Sequence, residues 1–178
     1  MNDKLNVIHD VTMTKSTNSM KQPPTLQYAF TLSVDLAPPH DYGITNDGNK
    51  RYIPITGGRV DGPKLQGDIL PGGGDWNTVQ HNGVVHVYAR YAIRAADGTI
   101  IGITNEGRGR GKEELIGKVF QEGIQEGEDG SSGWYTKTSP QFEVGPGPHD
   151  WLLRTGFVGD LLLPTRQDQA VVEVFEIV

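Results

Sequence analysis

The chain has 178 residues, the size of one ordinary domain, and its 24 glycines and 11 prolines are too many for a helical bundle. Its 16 basic and 22 acidic side chains give a net charge of -6, so no overall positive field attracts phosphate backbones. Nucleic acid is therefore not expected as a main partner. The chain has no cysteine, which excludes disulfides, thiolate metal sites and a cysteine nucleophile.

The first 24 residues are polar and end at two prolines. We interpret them as a flexible tail that precedes one domain over residues 25–178, with a partner-binding arm as the alternative. The tail lacks the apolar stretch of a secretory signal, and the chain lacks a run of about 18 apolar residues for a membrane span. We therefore expect a cytoplasmic protein with no membrane partner.

Strict alternation of apolar and polar residues starts after the tail and predicts a half-buried strand over residues 26–36. One face of this strand carries six apolar side chains: Leu26, Tyr28, Phe30, Leu32, Val34 and Leu36. Prolines at positions 38 and 39 end it, because proline removes a backbone donor. A second short strand is predicted over residues 51–56, and the two would form a hairpin with a long loop.

Glycine clusters and turn residues define the next strands. Glycines at positions 57–58 and 72–74 bracket a predicted strand over residues 64–70, and each cluster permits a sharp bend. Strands over residues 83–95 and 99–104 flank an Asp-Gly pair, which favours a tight hairpin.

The second half of the chain contains the one helical pattern. Apolar residues recur at steps of three and four over residues 112–125, and we expect this helix to cover one end or edge of the fold. An acidic, exposed loop is predicted over residues 122–129. Three further strands are predicted over residues 134–144, 151–158 and 170–178.

Eight or nine short strands with one short helix indicate an all-β domain, either a closed antiparallel barrel or a sandwich. We favour the barrel, because closure removes exposed strand edges and because the glycine clusters suit its corners.

The predicted strand over residues 83–95 has apolar side chains on one face and polar side chains on the other. Its odd positions are apolar, and its even positions form a polar stripe: His86, Tyr88, Arg90 and Arg94. Two interpretations remain open. The stripe faces solvent, as one side of an antiparallel sheet often does, or it lines a polar cavity inside the barrel.

Other candidate site residues combine charged and aromatic groups. Asp75 stands beside Trp76, and a carboxylate next to an indole can lose solvation and gain a raised pKa, as proton-transfer residues do. The alternative is that Asp75 caps a turn while the indole fills the core. Tyr135 with Lys137, and Trp151 on another predicted strand, could line a pocket for a planar ligand. The alternative for these is an aliphatic stem packed at a strand end.

Motifs of several other classes are absent. Residues 107–113 lack the spacing of a phosphate-binding loop and are interpreted as a solvated basic loop. The five histidines show no metal-binding spacing, and no Gly-x-Ser-x-Gly elbow or dinucleotide fingerprint occurs. We therefore predict no metal and no cofactor.

A chain of short motifs carries a family resemblance: Ile55-Thr56-Gly57-Gly58, Gly62-Pro63-Lys64-Leu65-Gln66-Gly67, Pro71-Gly72-Gly73-Gly74-Asp75-Trp76, Ala89-Arg90-Tyr91, Asn105-Glu106-Gly107 and Trp151-Leu152. In order and spacing, from Leu26 to the C-terminus, the chain resembles the family catalogued as domain of unknown function 3237, also called uncharacterised protein family 311. The resemblance implies a small β-barrel, similar in outline to lipocalins and allene oxide cyclases, with no established general activity. Barrels of this outline commonly hold an apolar small molecule, and some catalyse cyclisation, isomerisation or elimination without a cofactor. Family members tend to carry an acid and an asparagine where this chain has Tyr88 and Leu153.

These observations together predict a barrel that binds a small, apolar, oxygenated metabolite and acts on it by acid/base chemistry, as a lyase, isomerase or cyclase. Asp75 would be the base, Tyr88 the acid, and Arg90 would stabilise a developing oxyanion. The expected ligand-binding residues are aromatic or polar: Trp76, Asn105, Tyr135, Lys137 and Trp151. The alternatives are a non-catalytic binding or carrier protein, or an interaction module whose outer strand faces form a homo-oligomer.

Overall fold

The computed structural model describes residues 22–121 and 133–178. These residues form ten strands, β1 (Leu26–Leu36), β2 (His40–Thr45), β3 (Gly48–Asp61), β4 (Gly67–Ile69), β5 (Gly73–Val79), β6 (Val85–Ala95), β7 (Ile100–Arg110), β8 (Tyr135–Glu143), β9 (Phe157–Leu161) and β10 (Gln169–Ile177). A helix, α1 (Glu113–Gln121), follows β7, and a 3₁₀ helix (Asp150–Leu153) precedes β9. The acidic loop predicted over residues 122–129 and most of the predicted tail lie outside the described residues.

Eight of the strands close into an antiparallel barrel. They pair in the order β1-β10-β9-β8-β7-β6-β5-β3, and β3 pairs with β1 to complete the circuit. The two extra strands attach to this circuit: β2 pairs with β3, and β4 bridges β3 and β6 beyond the end of β5. The prediction of a closed antiparallel barrel with one short helix is confirmed.

A bulge in β1 changes the predicted apolar face. The register against β10 shifts between Tyr28 and Phe30, so that Ala29 and Phe30 are both fully buried. Leu26 and Tyr28 consequently lie on the outside, where their side chains are exposed. The expectation that both share the inner face with Phe30 is therefore wrong. One extra residue in the strand moves every side chain before it to the opposite face of the sheet.

The barrel interior is packed at one end. Apolar side chains from many strands meet there, among them Phe30, Ile93, Ile101, Phe142 and Phe157. Leu152 of the 3₁₀ helix is buried against them and closes this end. These side chains fill the barrel interior at this end, and a cavity remains inside the barrel at the opposite end.

Helix α1 lies at that opposite end. Its Leu115 and Ile116 are buried, and Ile116 packs against Val85 and Val87 at the start of β6. The helix therefore covers one barrel end, as the sequence pattern predicted. No helix in the two described ranges is long and apolar enough to cross a membrane.

Several predicted boundaries differ from the observed ones because glycines lie within strands. The glycines at 72–74 were expected to permit a sharp bend, but β5 begins at Gly73, whose Cβ position would collide with Tyr91 of the neighbouring strand. The predicted basic loop is also wrong over residues 107–110, which belong to β7. There Gly107 and Gly109 leave room for Thr138 and Thr136 of β8. Residues 151–153 are in the 3₁₀ helix and not in a strand.

Candidate functional site

A cavity of about 310 Å³ opens at the α1 end of the barrel. Its wall is mostly apolar and includes Ile53, Val85, Val87, Leu161 and Ala170. Val119 of α1 and Trp134 line the cavity at the α1 end, and residues from the segments 37–39 and 164–169 form its rim. The indole Nε1 of Trp134 donates a hydrogen bond to the carbonyl oxygen of Leu161 at 3.1 Å, which ties the start of β8 to the end of β9. The volume and the apolar wall are typical of a site for a small organic molecule.

Below the rim, three polar side chains face this cavity. Asp75 and Asn77 project inward from alternate positions of β5, and Thr136 projects from β8. Asn77 and Thr136 are buried, and among the described residues Asn77 Oδ1 and Thr136 Oγ1 have no hydrogen-bond partner. Buried polar atoms normally have partners. These two atoms are therefore positioned to bind a polar group inside the cavity.

The carboxylate of Asp75 is the ionisable group half-buried in this wall below the rim. Its Oδ1 accepts a hydrogen bond from the backbone N–H of Tyr88 at 2.9 Å, and the side chain of Asn77 is also hydrogen-bonded to it. Burial raises the pKa of Asp75 from 3.8 to about 6, although these two hydrogen bonds and the charge of His86 oppose the increase. At neutral pH the group is ionised and is a stronger base than an exposed aspartate.

Beneath the cavity lies a second layer of buried polar groups. Ala89 stands between Asp75 and Asn105 in the strand register, and Tyr91 is the next inward residue of β6. Burial and the charge of Asp75 raise the pKa of the Tyr91 phenol, so this side chain remains neutral. Tyr91 Oη and Asn105 Oδ1 have no hydrogen-bond partner within residues 22–121 and 133–178. In the sequence, Tyr91 falls among the apolar odd positions of β6, so its phenol was not expected to be a polar group of the interior. The available signal is its place on the same face as Ala89, the residue that pairs with Asp75.

The structure separates the three predicted catalytic residues. Asp75 faces the cavity, whereas Tyr88 and Arg90 lie on the outer face of β6, and the side chain of Arg90 is 61% exposed, 3.8 Å from Glu143. The interpretation that the polar stripe of β6 lines a cavity inside the barrel is therefore wrong; its His86 and Tyr88 line a depression on the outer face. The apolar odd positions, Val87 among them, face inward because the barrel interior buries them.

Of the predicted ligand-binding residues, Asn105 is inside the barrel, but four aromatic or cationic ones are not in the cavity wall. Trp76 is on the outer face, where its ring lies 5.1 Å from that of Tyr52. Tyr135 and Lys137 also point outward from β8, and Lys137 pairs with Asp160. Trp151 is at the packed end, with its ring 5.7 Å from that of Phe157. The aromatic pocket expected from these side chains is therefore not formed by them.

No group of three or more histidine, aspartate or glutamate side chains within the described ranges is arranged to hold a metal ion. Below its rim, the cavity offers a carboxylate, an amide and a hydroxyl. This set is suited to hydrogen bonding and proton transfer with a ligand.

Comparison with known proteins places the chain. The model of a family described as protein of unknown function (DUF3237) matches residues 24–177. The chain belongs to this family. A UPF0311 protein of Rhodopseudomonas palustris is 31% identical over 157 residues, which covers 86% of this chain and 98% of that relative.

Two further proteins are similar to this chain and concern its fold and its chemistry. A solved structure from Acinetobacter baumannii, described as a beta-barrel like protein, has a TM-score of 0.73 at 31% identity, covering 89% of this chain and 98% of its own. A protein of Penicillium herquei named hydroalkoxylation enzyme phnH is 29% identical over 86 residues, which is 48% of this chain and 57% of that enzyme. One solved structure similar to this chain is thus described as a barrel, and one relative is named as an enzyme.

Proposed function

We propose that the chain binds a small, mostly apolar, oxygenated molecule in the cavity and that Asp75 transfers a proton on it. The observation that carries this proposal is the position of Asp75: a carboxylate half-buried in a mostly apolar cavity wall, with its pKa raised to about 6. A base whose pKa lies near the working pH is both deprotonated and reactive, which is the balance that general base catalysis requires.

The reaction class is a lyase, isomerase or cyclase step. The Asp75 carboxylate removes a proton from a ligand O–H or C–H, and the freed electron pair forms a new bond or shifts into a neighbouring carbonyl. The hydroxyl of Thr136, which lines the same cavity, can donate to the oxygen that gains charge. The protonated Asp75 then returns its proton to carbon or oxygen, so the cycle needs only the substrate and the side chain. The similarity to a relative named hydroalkoxylation enzyme supports this class.

A carrier without chemistry is the second candidate. The observation that favours it is the placement of Tyr88 and Arg90 outside the cavity, which leaves Asp75 without the two partners expected from the sequence. In this case the carboxylate and Asn77 would only orient a ligand.

A single comparison distinguishes the two candidates. Wild-type and Asp75→Asn protein are screened by thermal shift against phenols, enones, lactones and oxylipins, and each stabilising compound is then incubated with both proteins and analysed for products. We expect turnover by the wild type, rising through about pH 6, and a loss of about a hundredfold or more in the variant, which keeps the shape but not the basicity.

Compounds that stabilise both proteins and are converted by neither would support the carrier. Conversion at equal rates by wild type and Asp75→Asn would overturn the role of Asp75. The matched control is Arg94→Ala, which removes an exposed cation from the outer face of β6 and is expected to leave both readouts unchanged.

A further inference from the structure

Two polar side chains below the rim of the cavity, Asp75 and Asn77, present hydrogen-bond acceptors. Asp75 contributes carboxylate oxygens, of which Oδ1 already accepts from the Tyr88 N–H. The Asn77 side chain is hydrogen-bonded to Asp75, and because a carboxylate only accepts, the amide nitrogen is the donor. The amide therefore presents Oδ1, which has no partner among the described residues, as a further acceptor.

The charges that line the cavity favour the same kind of ligand. Among the described lining residues the charged groups are Asp75, Arg166 and Asp168. Arg166 and Asp168 form a two-point ion pair at the rim, with Nε to Oδ1 at 2.8 Å and Nη2 to Oδ2 at 2.6 Å, so their charges offset one another. Of the charges that the lining presents, the one with no counterion in that lining is the carboxylate of Asp75. An anion placed beside it would meet like-charge repulsion in a poorly solvated wall.

We infer, building on the proton-transfer function proposed above, that the cavity selects a neutral molecule whose buried end carries a hydroxyl group, such as a phenol or alcohol, and rejects the matching carboxylate or ether. The hydroxyl donates to Asp75 and enters first. The apolar body of the ligand then lies against Val85, Val87 and Leu161 toward the mouth. The ether loses the donor, and the carboxylate adds a second negative charge.

The position of Thr136 supports this orientation. Its side chain is buried on β8, and its Oγ1 has no partner within the described ranges. A hydroxyl can donate and accept hydrogen bonds. The Thr136 hydroxyl can therefore donate to the oxygen of a ligand hydroxyl whose own hydrogen is already bonded to Asp75. Gly109, whose Cβ position would lie 2.4 Å from Thr136 Oγ1, leaves the space in which this hydroxyl sits.

Three probes of matched shape test the inference: β-naphthol, β-naphthyl methyl ether and β-naphthoate. Their binding to the full chain is measured by calorimetry at about pH 7.5, where Asp75 is ionised and β-naphthol is neutral. We expect β-naphthol to bind about tenfold or more tightly than the ether, because a hydrogen bond to a charged acceptor is lost, and β-naphthoate to bind more weakly still.

Asp75→Asn reports on the cause of the preference. This variant removes the charge and keeps an oxygen that accepts hydrogen bonds, so the advantage over the ether should fall to a few-fold and the naphthoate should gain affinity. The matched control Arg94→Ala should reproduce the wild-type ranking. The ranking of the three probes on wild-type protein stands by itself if the variant fails to fold.

The outcomes separate this inference from the proposed function. Equal binding of all three probes, abolished by filling the cavity with Val87→Phe, would overturn the hydroxyl preference while the cavity would still be a ligand site. Tightest binding of β-naphthoate would overturn the preference in the same way. If none of the probes binds at millimolar concentration, both the preference and the cavity-binding function are overturned.

Discussion

Replacing Asp75 with asparagine should stabilise the protein in a pH-dependent way. The carboxyl is half-buried, and its pKa is raised from 3.8 to about 6 in the folded state. The folded protein therefore holds this proton more tightly than the unfolded chain does. The stability that comes from the protonated form is present at low pH and is lost as the pH rises from about 4 through about 6.

The magnitude follows from the difference between the two pKa values. At about 1.4 kcal/mol per pKa unit, the ionised carboxylate costs the folded state about 3 kcal/mol at neutral pH. The asparagine side chain of the variant would carry no such cost and would still accept from the Tyr88 N–H, whose donor atom lies 2.9 Å from Asp75 Oδ1. For a chain of this length, the variant should melt about 6 to 12 °C above the wild type at pH 7 and only slightly above it near pH 4.

The assay is denaturant unfolding of both proteins at a series of pH values from about 4 to 8, with the difference in unfolding free energy plotted against pH. Other titrating groups cancel in this difference, because both proteins share them. A difference that stays constant with pH, or that is largest at low pH, would refute the reasoning that Asp75 is desolvated.

Three further variants test other parts of the account. Arg90→Ala should leave ligand binding unchanged, because this side chain is on the outer face. Loss of binding in a thermal-shift screen would instead show that the polar stripe of β6 takes part in the ligand site. Gly58→Ala should cost about 2 kcal/mol or more in denaturant unfolding, since φ is 137° and the new Cβ would lie 2.1 Å from the carbonyl oxygen of Ser33; an unchanged midpoint would contradict this. Lys64→Met should cost about 3 kcal/mol, because it leaves the buried carboxylate of Glu176 without its ion-pair partner, and a neutral effect would show that this charge has other compensation.

Local patterns in the sequence predicted much of the barrel. The strand β1 has the predicted bounds, because its alternation is long and ends at two prolines. The Asp97-Gly98 turn joins β6 to β7 as expected, with Gly98 at a φ of 89°. The bulge in β1 and the strand β5 were not predictable in this way, since both depend on how a neighbouring strand approaches the backbone. The glycines at 73 and 74 are inside a strand because Tyr91 and Tyr52 occupy the space beside them.

The candidate site was predicted in part. Asp75 was expected to have a raised pKa beside an indole, and its pKa is raised, but the cause is burial in the cavity wall while Trp76 points the other way. The alternation in β6 correctly predicted which side chains share a face. It does not determine which of the two faces points into a closed barrel. The burial of Val85 and Val87 against Ile116 decides it, and that contact involves a helix about 30 residues further along the chain.

The central claim is that Asp75 is a desolvated carboxylate in a ligand cavity, and its titration in the folded protein tests this most directly. Carboxyl-carbon NMR of protein labelled at aspartate side chains, assigned by the signal that disappears in Asp75→Asn, gives its pKa. The account predicts a midpoint at about pH 6. A midpoint at or below the ordinary value of 3.8 would contradict it.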